Sequence, residues 1–395
     1  MADAVKPLEG IRVLDFSQVM MGPCCTQTLG DYGADIIKIE RASGDLSRTS
    51  QPDPGGLDNP VFLSLNRNKR SMVLNTKSAA GKQIIYDLVK RSDVVVSNFR
   101  AGVMDRLGFG YEELKAINPR IIWASGSAYG AVGPYQHKAG VDPIAQAVTG
   151  LIDRRSSDDT PMSIYPTSLC DYSASMHLVQ GILLAILARH QTGVGQKVEV
   201  SLYDSMLAMQ MQEATSQLMR GVAVNWGRMP LNGVFETTDG HVMMIGAFRD
   251  QPLRDISTAL ELDEDLSGRP EFATTELQFA NMAHLQAIFR ERFATNSTDY
   301  WMKRLEGVDL MCSRIRTLAE ALDDEQTAVN GMIVELDHPT QGRFATIGSP
   351  VHMSDSPIQL RLAPPRLGEH VDELMRELGY DAAVVEDLKS QGVFA

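Results

Sequence analysis

Between Ser173 and Arg189 the chain carries Met176, Leu178, Val179, Ile182, Leu183, Leu184, Ile186 and Leu187, an apolar set on nearly every side of a helix. A helix without a polar face belongs inside a core, so the rest of the chain has to be built around it. Asp171 stands at the mouth of this helix, and a glycine turn at Gly193 and Gly195 leads from its far end into a strand. The carboxylate has two readings. Asp is a favoured N-cap residue, a duty Ser168 or Ser173 can share, and that reading asks nothing more of it. On the other, the positive end of the helix keeps the carboxylate ionised, free backbone N–H groups hold an oxyanion forming on a bound carbonyl, and the carboxylate is a nucleophile.

The surroundings read as alternating strands and helices. Residues 11–16 run apolar as a strand, 22–32 have helical punctuation and 34–39 form a second short strand, which makes a β-α-β unit. Residues 71–74, 93–97 and 121–125 repeat the theme with a helix over 79–90, predicting a parallel sheet with helices on its faces. This is Rossmann-like layering without the Rossmann fingerprint. The turn after the first strand, Ser17-Gln18-Val19-Met20-Met21-Gly22-Pro23, lacks the three glycines of a dinucleotide site, which argues against NAD or FAD in spite of Glu40 at the end of the second strand. Beyond residues 201–222 the composition shifts. Asn232-Gly233, the runs 234–236 and 241–245, and the Asp239-Gly240 turn between them read as a hairpin, with helices over 277–293 and 298–305. The expected fold is α/β: a large domain with a parallel sheet over 1–224, a smaller α+β domain over 225–330, and a return segment over 331–395 in which residues 343–351 and a helical end over 369–388 come back to the large domain.

With 37 basic and 50 acidic residues the formal net charge is -13, which repels nucleic acid and anionic membranes alike. A polyanionic ligand has to be met locally, by Lys38 and Arg41, by Arg67, Lys69 and Arg70, or by Arg100 with Arg106. No basic-plus-apolar signal precedes Gly10, and the longest apolar run is expected to break at Arg189 and His190, short of the ~20 residues of a membrane span. A cytoplasmic protein with no nucleic-acid or membrane partner is expected. Cys24, Cys25, Cys170 and Cys312 show no metal spacing and read as reduced thiols. Cys170 adjoins Asp171, but its local run offers no base to activate it. The eight histidines form no His-Glu-x-x-His pattern, and no metal is expected.

The run from Cys170 to Leu178, Gly181-Ile182-Leu183, Arg189-His190, Thr192-Gly193, Gly195 to Val198 and Asp204 resembles the central signature of the class III CoA-transferases, the family of formyl-CoA and carnitine CoA-transferases. Gly10 to Phe16, Gly22-Pro23, Gly33 to Glu40 and Gly44-Asp45 resemble its opening unit. Asn66, Asn68 to Ser71, Asn98 to Arg100, Asp105 to Gly108 and Asn118 to Arg120 continue it, and Leu367 to His370 with Glu377 to Tyr380 resembles its closing element. The resemblance spans nearly the whole chain. It implies ring-like protomers interlocked as a homodimer, no tightly bound cofactor, coenzyme A and acyl-CoA as substrates together with a small carboxylic acid, and Asp171 as the nucleophile. It also implies CoA contacts at Met20, Met21, Arg41, Leu74, Asn98, Phe99, Arg100, Arg106, Ala139, Gly140, Val141 and Asp142.

A carboxylate nucleophile suits such transfer because a mixed anhydride and then an aspartyl thioester preserve the reactivity of the starting thioester, whereas a serine ester would not. Met20 stands where the formyl-CoA branch has a glutamine, and the segment 246–252 follows the hairpin where that branch has a glycine-rich lid. Oxalate is therefore not the expected acid. A larger or less polar one is, a dicarboxylate or a branched acyl group, with Arg249 either a partner for the acceptor carboxylate or a solvated loop arginine. The related α-methylacyl-CoA racemases place a histidine base in a Gly-His-Asp run; here the run is Gly140-Val141-Asp142, and valine moves no proton. An acyl-CoA racemase or isomerase and a non-catalytic CoA-binding protein stand as the alternatives.

Overall fold

Six short strands, β1 (Arg12–Asp15), β2 (Asp35–Glu40), β3 (Lys69–Val73), β4 (Val94–Ser97), β5 (Ile122–Ser127) and β6 (Lys197–Ser201), pair in the order β3-β2-β1-β4-β5-β6. Every neighbouring pair is parallel. Runs such as Val94-Val95-Val96 show no polar alternation because both faces of a parallel sheet are covered. The helices that matter here are α1 (Met21–Asp31), α2 (Ala79–Val89), α3 (Tyr111–Ile117), α4 (Asp142–Val148), α5 (Leu169–Thr192), α6 (Leu202–Met209), α7 (Val371–Leu378) and α8 (Ala382–Ser390). Leu14, Ile37, Met72, Val95 and Trp123 point to one face and pack with α2, α3, α7 and α8, while Val13, Ile36, Val94, Val96 and Ile122 point to the other and pack with α1 and α5.

The computed structural model describes residues 5–50, 59–155, 157, 159–340 and 342–394. It divides into two units: Met1–Ile152, Ile164–Met211 and Ala328–Ala395 form the first, and Asp153–Ser163 with Gln212–Thr327 the second. The smaller unit thus takes a strap at 153–163 and begins at 212, ahead of the boundary at 225 expected from composition. Its strands β7 (Asn232–Glu236), β8 (His241–Ile245) and β9 (Met311–Arg314) form an antiparallel sheet over a core in which Phe235 stacks on Phe293 at 4.7 Å. Asp239 of the hairpin turn accepts the Thr298 N–H at 2.7 Å, joining the turn to the start of the Thr298–Gly307 helix. In the larger unit β10 (Ile333–His338) and β11 (Gly342–Ile347) pair as an antiparallel ribbon.

Two expectations about α5 are corrected. It runs unbroken through Arg189 and His190 for 24 residues and is long and apolar enough to cross a membrane. One side, with Leu178, Ile182, Ala185 and Ile186, packs on the sheet, and Arg189 is buried in an ion pair with Asp93 at 2.9 Å. The opposite side is not enclosed: Leu184 and Leu187 are 65% and 62% exposed. A helix lying on a sheet is covered by that sheet on one side only. Gly181 permits the close crossing, since a Cβ there would lie 2.5 Å from Val198 Cγ1.

Candidate active site

β1 is followed by β2 on one side of it, whereas β4 lies on the other and is followed by β5, so the strand order reverses between them. Chains leaving the carboxyl ends of two such strands part and open a crevice, which is where open parallel sheets hold ligands. The loops there are 16–20 and 98–102, and Asn98 ties them: the Gln18 N–H donates to Asn98 Oδ1 at 2.9 Å and Asn98 Nδ2 donates to the Gln18 carbonyl at 2.7 Å. Val19 sits at φ 66°, a left-handed value that strains a β-branched residue, and its N–H is held by Asp45 Oδ1 at 3.0 Å.

Beneath the first loop lies a set of buried charges. Lys38 Nζ donates to the Ser17 carbonyl at 2.8 Å and pairs with Asp45 at 2.8 Å. Asp15 accepts from the Ser17 N–H at 2.9 Å, from the Ser17 and Thr26 hydroxyls and from Lys69 Nζ at 3.1 Å. Burial opposes the Asp15 charge, but Lys69, Lys38 and the two hydroxyls outweigh it and hold the carboxyl at about 2. Burial pulls the Lys69 ammonium down to about 8 against the attraction of Asp15, because Lys38 repels it as well. At neutral pH the pair is ionic. Arg67 is likewise bound to Asp31, Arg48 to Glu40, and Arg70 to Asp35, Glu373 and Glu377. Of the cations expected to meet a polyanion, Lys38, Arg67, Lys69 and Arg70 are therefore already engaged by internal carboxylates, and Glu40 is no ribose acceptor.

Asp171 is the third residue of α5 rather than its cap. The N-cap position falls to Ser168, whose side chain makes no capping bond. The cap arrives from α4 instead: buried Asp142 accepts the Asp171 N–H on Oδ2 at 2.9 Å and the Gln146 side-chain amide on Oδ1 at 2.6 Å. Fully buried Gln146 also accepts the Tyr165 N–H at 3.0 Å, fixing the segment that leads into α5. The backbone N–H groups expected to hold an oxyanion are largely spent, with Leu169 bonded to the Thr167 carbonyl, Asp171 to Asp142 and Tyr172 to the Ser168 carbonyl. The carboxyl of Asp171 is pushed up to about 7, first by burial and then by the Asp142 charge. This reverses the expectation that the helix end keeps it readily ionised. Burial and the same two carboxylates push the Cys170 thiol up to about 12, which leaves it an inert thiol.

Phe99, Arg100 and Arg106 line one cavity of about 350 Å³ together with Trp123, His137 and Lys197. Both arginines are exposed, and Lys197 pairs with Glu199 at 3.0 Å. His137 was not singled out from the sequence, and Lys197 entered only within the run Gly195 to Val198, without a role at the site; the alternation of Lys197 and Glu199 on an edge strand was the signal available for it. Met20 is half-buried and lines a separate cavity of about 420 Å³ with Thr167, Tyr172 and Met176. The structure puts Leu74 and Met21 in the core rather than on a ligand-facing surface: Leu74 packs with the helices over one sheet face, and Met21 lies against Gly126, where a Cβ would stand 2.1 Å from its sulfur. Arg41 is exposed and leans on the Gly44 carbonyl at 3.4 Å. Ala139 and Val141 are exposed and Gly140 half-buried, whereas Asp142 points inward. In the second unit Arg249 is held by Asp255 and Asp309 at 3.0 and 2.9 Å, so its charge is not left over for an acceptor acid. Among the described residues no three His, Cys, Asp or Glu side chains group to hold a metal.

Solved structures share this architecture. A CAIB/BAIF family protein from Brucella suis superposes with a TM-score of 0.83 at 31% identity, covering 94% of this chain and 99% of its own. Rv3272 from Mycobacterium tuberculosis gives 0.84 at 28% identity, covering 94% of this chain and all of its own. Among curated proteins, mouse succinyl-CoA:glutarate CoA-transferase is 34% identical over 99% of this chain and 91% of its own length. Formyl-CoA:oxalate CoA-transferase of Streptomyces coelicolor is 34% identical over 98% and 99%. The family model for CoA-transferase family III matches residues 8–371, which take in every strand of the parallel sheet and both Asp142 and Asp171. The chain belongs to CoA-transferase family III, enzymes whose substrates are CoA thioesters.

Proposed function

We propose that this enzyme moves CoA from an acyl-CoA donor to a small carboxylic acid through covalent intermediates on Asp171. The observation that carries this reading is the state of Asp171: a half-buried carboxylate in the first turn of α5, beside the buried carboxylate of Asp142 and raised to about 7. Such a group is ionised in a useful fraction near neutral pH and is more nucleophilic than a solvated carboxylate. Its oxygen attacks the thioester carbonyl and expels CoA thiolate, leaving a mixed anhydride; the thiolate then attacks the aspartyl carbon and releases the donor acid. The acceptor acid repeats these steps in reverse. Both intermediates hydrolyse readily, so a site partly closed to solvent favours transfer over loss to water.

The exposed guanidinium groups of Arg100 and Arg106, sharing a cavity with Phe99, are suited to the phosphates of CoA, with Arg41 as a further exposed cation. The relatives are named for succinyl-CoA with glutarate and for formyl-CoA with oxalate, so both named acceptor acids are dicarboxylates; Met20, which carries no amide, favours a longer acid. A homodimer belongs to this reading, and the uncovered apolar side of α5 with Leu184 and Leu187 supports it. The test is mass spectrometry after mixing the enzyme with acyl-CoA and hydroxylamine. Modification at Asp171 is expected, with CoA exchange between acids abolished in Asp171→Ala. Full exchange in that variant, or exchange of the substrate α-hydrogen with deuterated water in place of transfer, would refute the reading.

A further inference from the structure

We infer that Asp142 is a positioning residue for the transfer reaction: it fixes the backbone at Asp171 and opposes negative charge on that side chain, favouring the covalent states in which the charge has left. This rests on Asp171 being the nucleophile. The geometry has three parts. Ser168 leaves the start of α5 without a side-chain cap, and Asp142, 29 residues earlier in the chain, supplies one to the Asp171 N–H at 2.9 Å. The second oxygen of Asp142 is taken by Gln146, so both oxygens serve as acceptors, the arrangement of an ionised carboxylate. Gln146 also bonds the Tyr165 N–H, so one buried pair on α4 holds both the approach to α5 and its first turn.

A neutral acceptor such as Asn or Ser would cap the helix equally well. A carboxylate caps it while setting a second negative charge beside Asp171, out of water, where like charges interact strongly. The elements packed on α5 offer little to offset that charge. From α1 come Cys24, Cys25 and Asp31, the last bound to Arg67; from α6 come Tyr203 and Asp204, the last bonded to Ser201. β6 brings Lys197 and Glu199 as a mutual pair, and α5 itself brings Cys170, Tyr172 and His177, the last bonded to Ser205. Among the described residues none of these pairs a cation with Asp171.

The consequence follows from the bonds. When an Asp171 oxygen bonds to the acyl carbon, the carbon–sulfur bond breaks and its electron pair leaves on CoA sulfur. When that thiolate bonds to the aspartyl carbon, the carbon–oxygen bond to the acyl group breaks and the donor acid departs as a carboxylate. Asp171 is neutral in both the anhydride and the thioester, so each relieves the repulsion from Asp142 that the free carboxylate experiences. The neighbouring charge thus weights the equilibrium toward enzyme-bound CoA.

Asp142→Asn retains an oxygen for the Asp171 N–H and removes the charge. In the full-length enzyme labelled with carbon-13 at aspartate side chains, the Asp171 resonance, assigned by its loss in Asp171→Asn, is expected to titrate about one pH unit or more lower in Asp142→Asn. Mass spectrometry with an acyl-CoA should show the Asp171–CoA thioester fraction falling several-fold. Asp142→Glu keeps the charge and should retain the high titration midpoint while transferring more slowly. Gln146→Ala, which loosens the segment without changing charge, should leave the midpoint where it was. If Asp142→Asn is unstable, Asp142→Ser makes the same comparison. An unchanged midpoint in the charge-free variants, with only the melting temperature lowered, would reduce Asp142 to a helix cap and overturn the inference. Absence of any Asp171 adduct in the unmodified enzyme would instead refute the transfer reading, and the titration would still decide whether Asp142 governs the charge of Asp171.

Discussion

Asp15 and Asp171 are the same side chain in one unit of the protein, the first fully buried and the second half-buried, and their surroundings drive them in opposite directions. Asp15 sits among two lysines, two hydroxyls and a backbone N–H and is held at about 2. Asp171 has another carboxylate for its charged neighbour and is raised to about 7. Burial raises both; partners decide the outcome. The first aspartate is a structural charge whose ionised form belongs to the fold. The second has an ionised form that the fold disfavours, the condition in which a carboxylate has reason to react.

The largest effect that could break this contrast is functional. Asp171→Asn should lower CoA transfer by at least about a thousandfold, roughly 4 kcal/mol of barrier, with the far-UV circular dichroism of the unmodified protein retained. Substantial transfer in this variant would place the reactive group elsewhere. Asp15→Asn should do the reverse. Removing one partner of a buried ion pair leaves Lys69 uncompensated, though Lys38 keeps Asp45, and denaturant unfolding should show a loss of about 3–5 kcal/mol, while the folded fraction keeps its transfer rate.

The pH dependence sharpens the comparison because the two signs differ. Asp171 has a folded value raised above the unfolded 3.8, so its contribution to stability is present below 3.8 and is lost as pH rises through about 7, by a few kcal/mol at most. Asp15 has a depressed value, so its contribution is present above 3.8 and is lost as pH falls through about 2, by about 2 kcal/mol. Thermal melts of Asp171→Asn should therefore exceed the unmodified protein at pH 8 and match it near pH 4. A constant difference across that range would mean that the charge on Asp171 does not oppose folding.

Much of the sheet was legible because parallel strands read as unbroken apolar runs, and residues 93–97 and 121–125 fall on β4 and β5. β9 was not, since Met311-Cys312-Ser313-Arg314 is mostly exposed and owes its conformation to pairing with β8. A single helix over 277–293 was expected, but the chain breaks at Asn281, whose side chain bonds the Glu271 carbonyl at 3.0 Å. The position of Asp171 at a helix start was visible, but the direction in which its charge is driven was not. A helix end favours the anion, and the opposing causes are burial and a carboxylate 29 residues away. Likewise Lys38 and Lys69 read as ligand cations because nothing local to either marks Asp15 as the shared partner of both.

The smallest expected effect concerns how the buried charges reach the site. Lys38 holds the Ser17 carbonyl and Asp45 holds the Val19 N–H from below, while Asn98 holds Gln18 from the side through two hydrogen bonds. Asn98→Ala removes the lateral tie alone. Two part-buried hydrogen bonds contribute about 1–2 kcal/mol in all, and the loop keeps its lower attachments, so a fall in melting temperature of a few degrees is expected. Because Met20 and the start of α1 follow directly, the KM for acyl-CoA should rise several-fold with kcat changed less, the pattern of a loop that must be ordered on binding. A change confined to kcat would place Asn98 in the chemistry proposed for Asp171, and the division between a charge network that builds the loop and a carboxylate proposed to react would have to be redrawn at this residue.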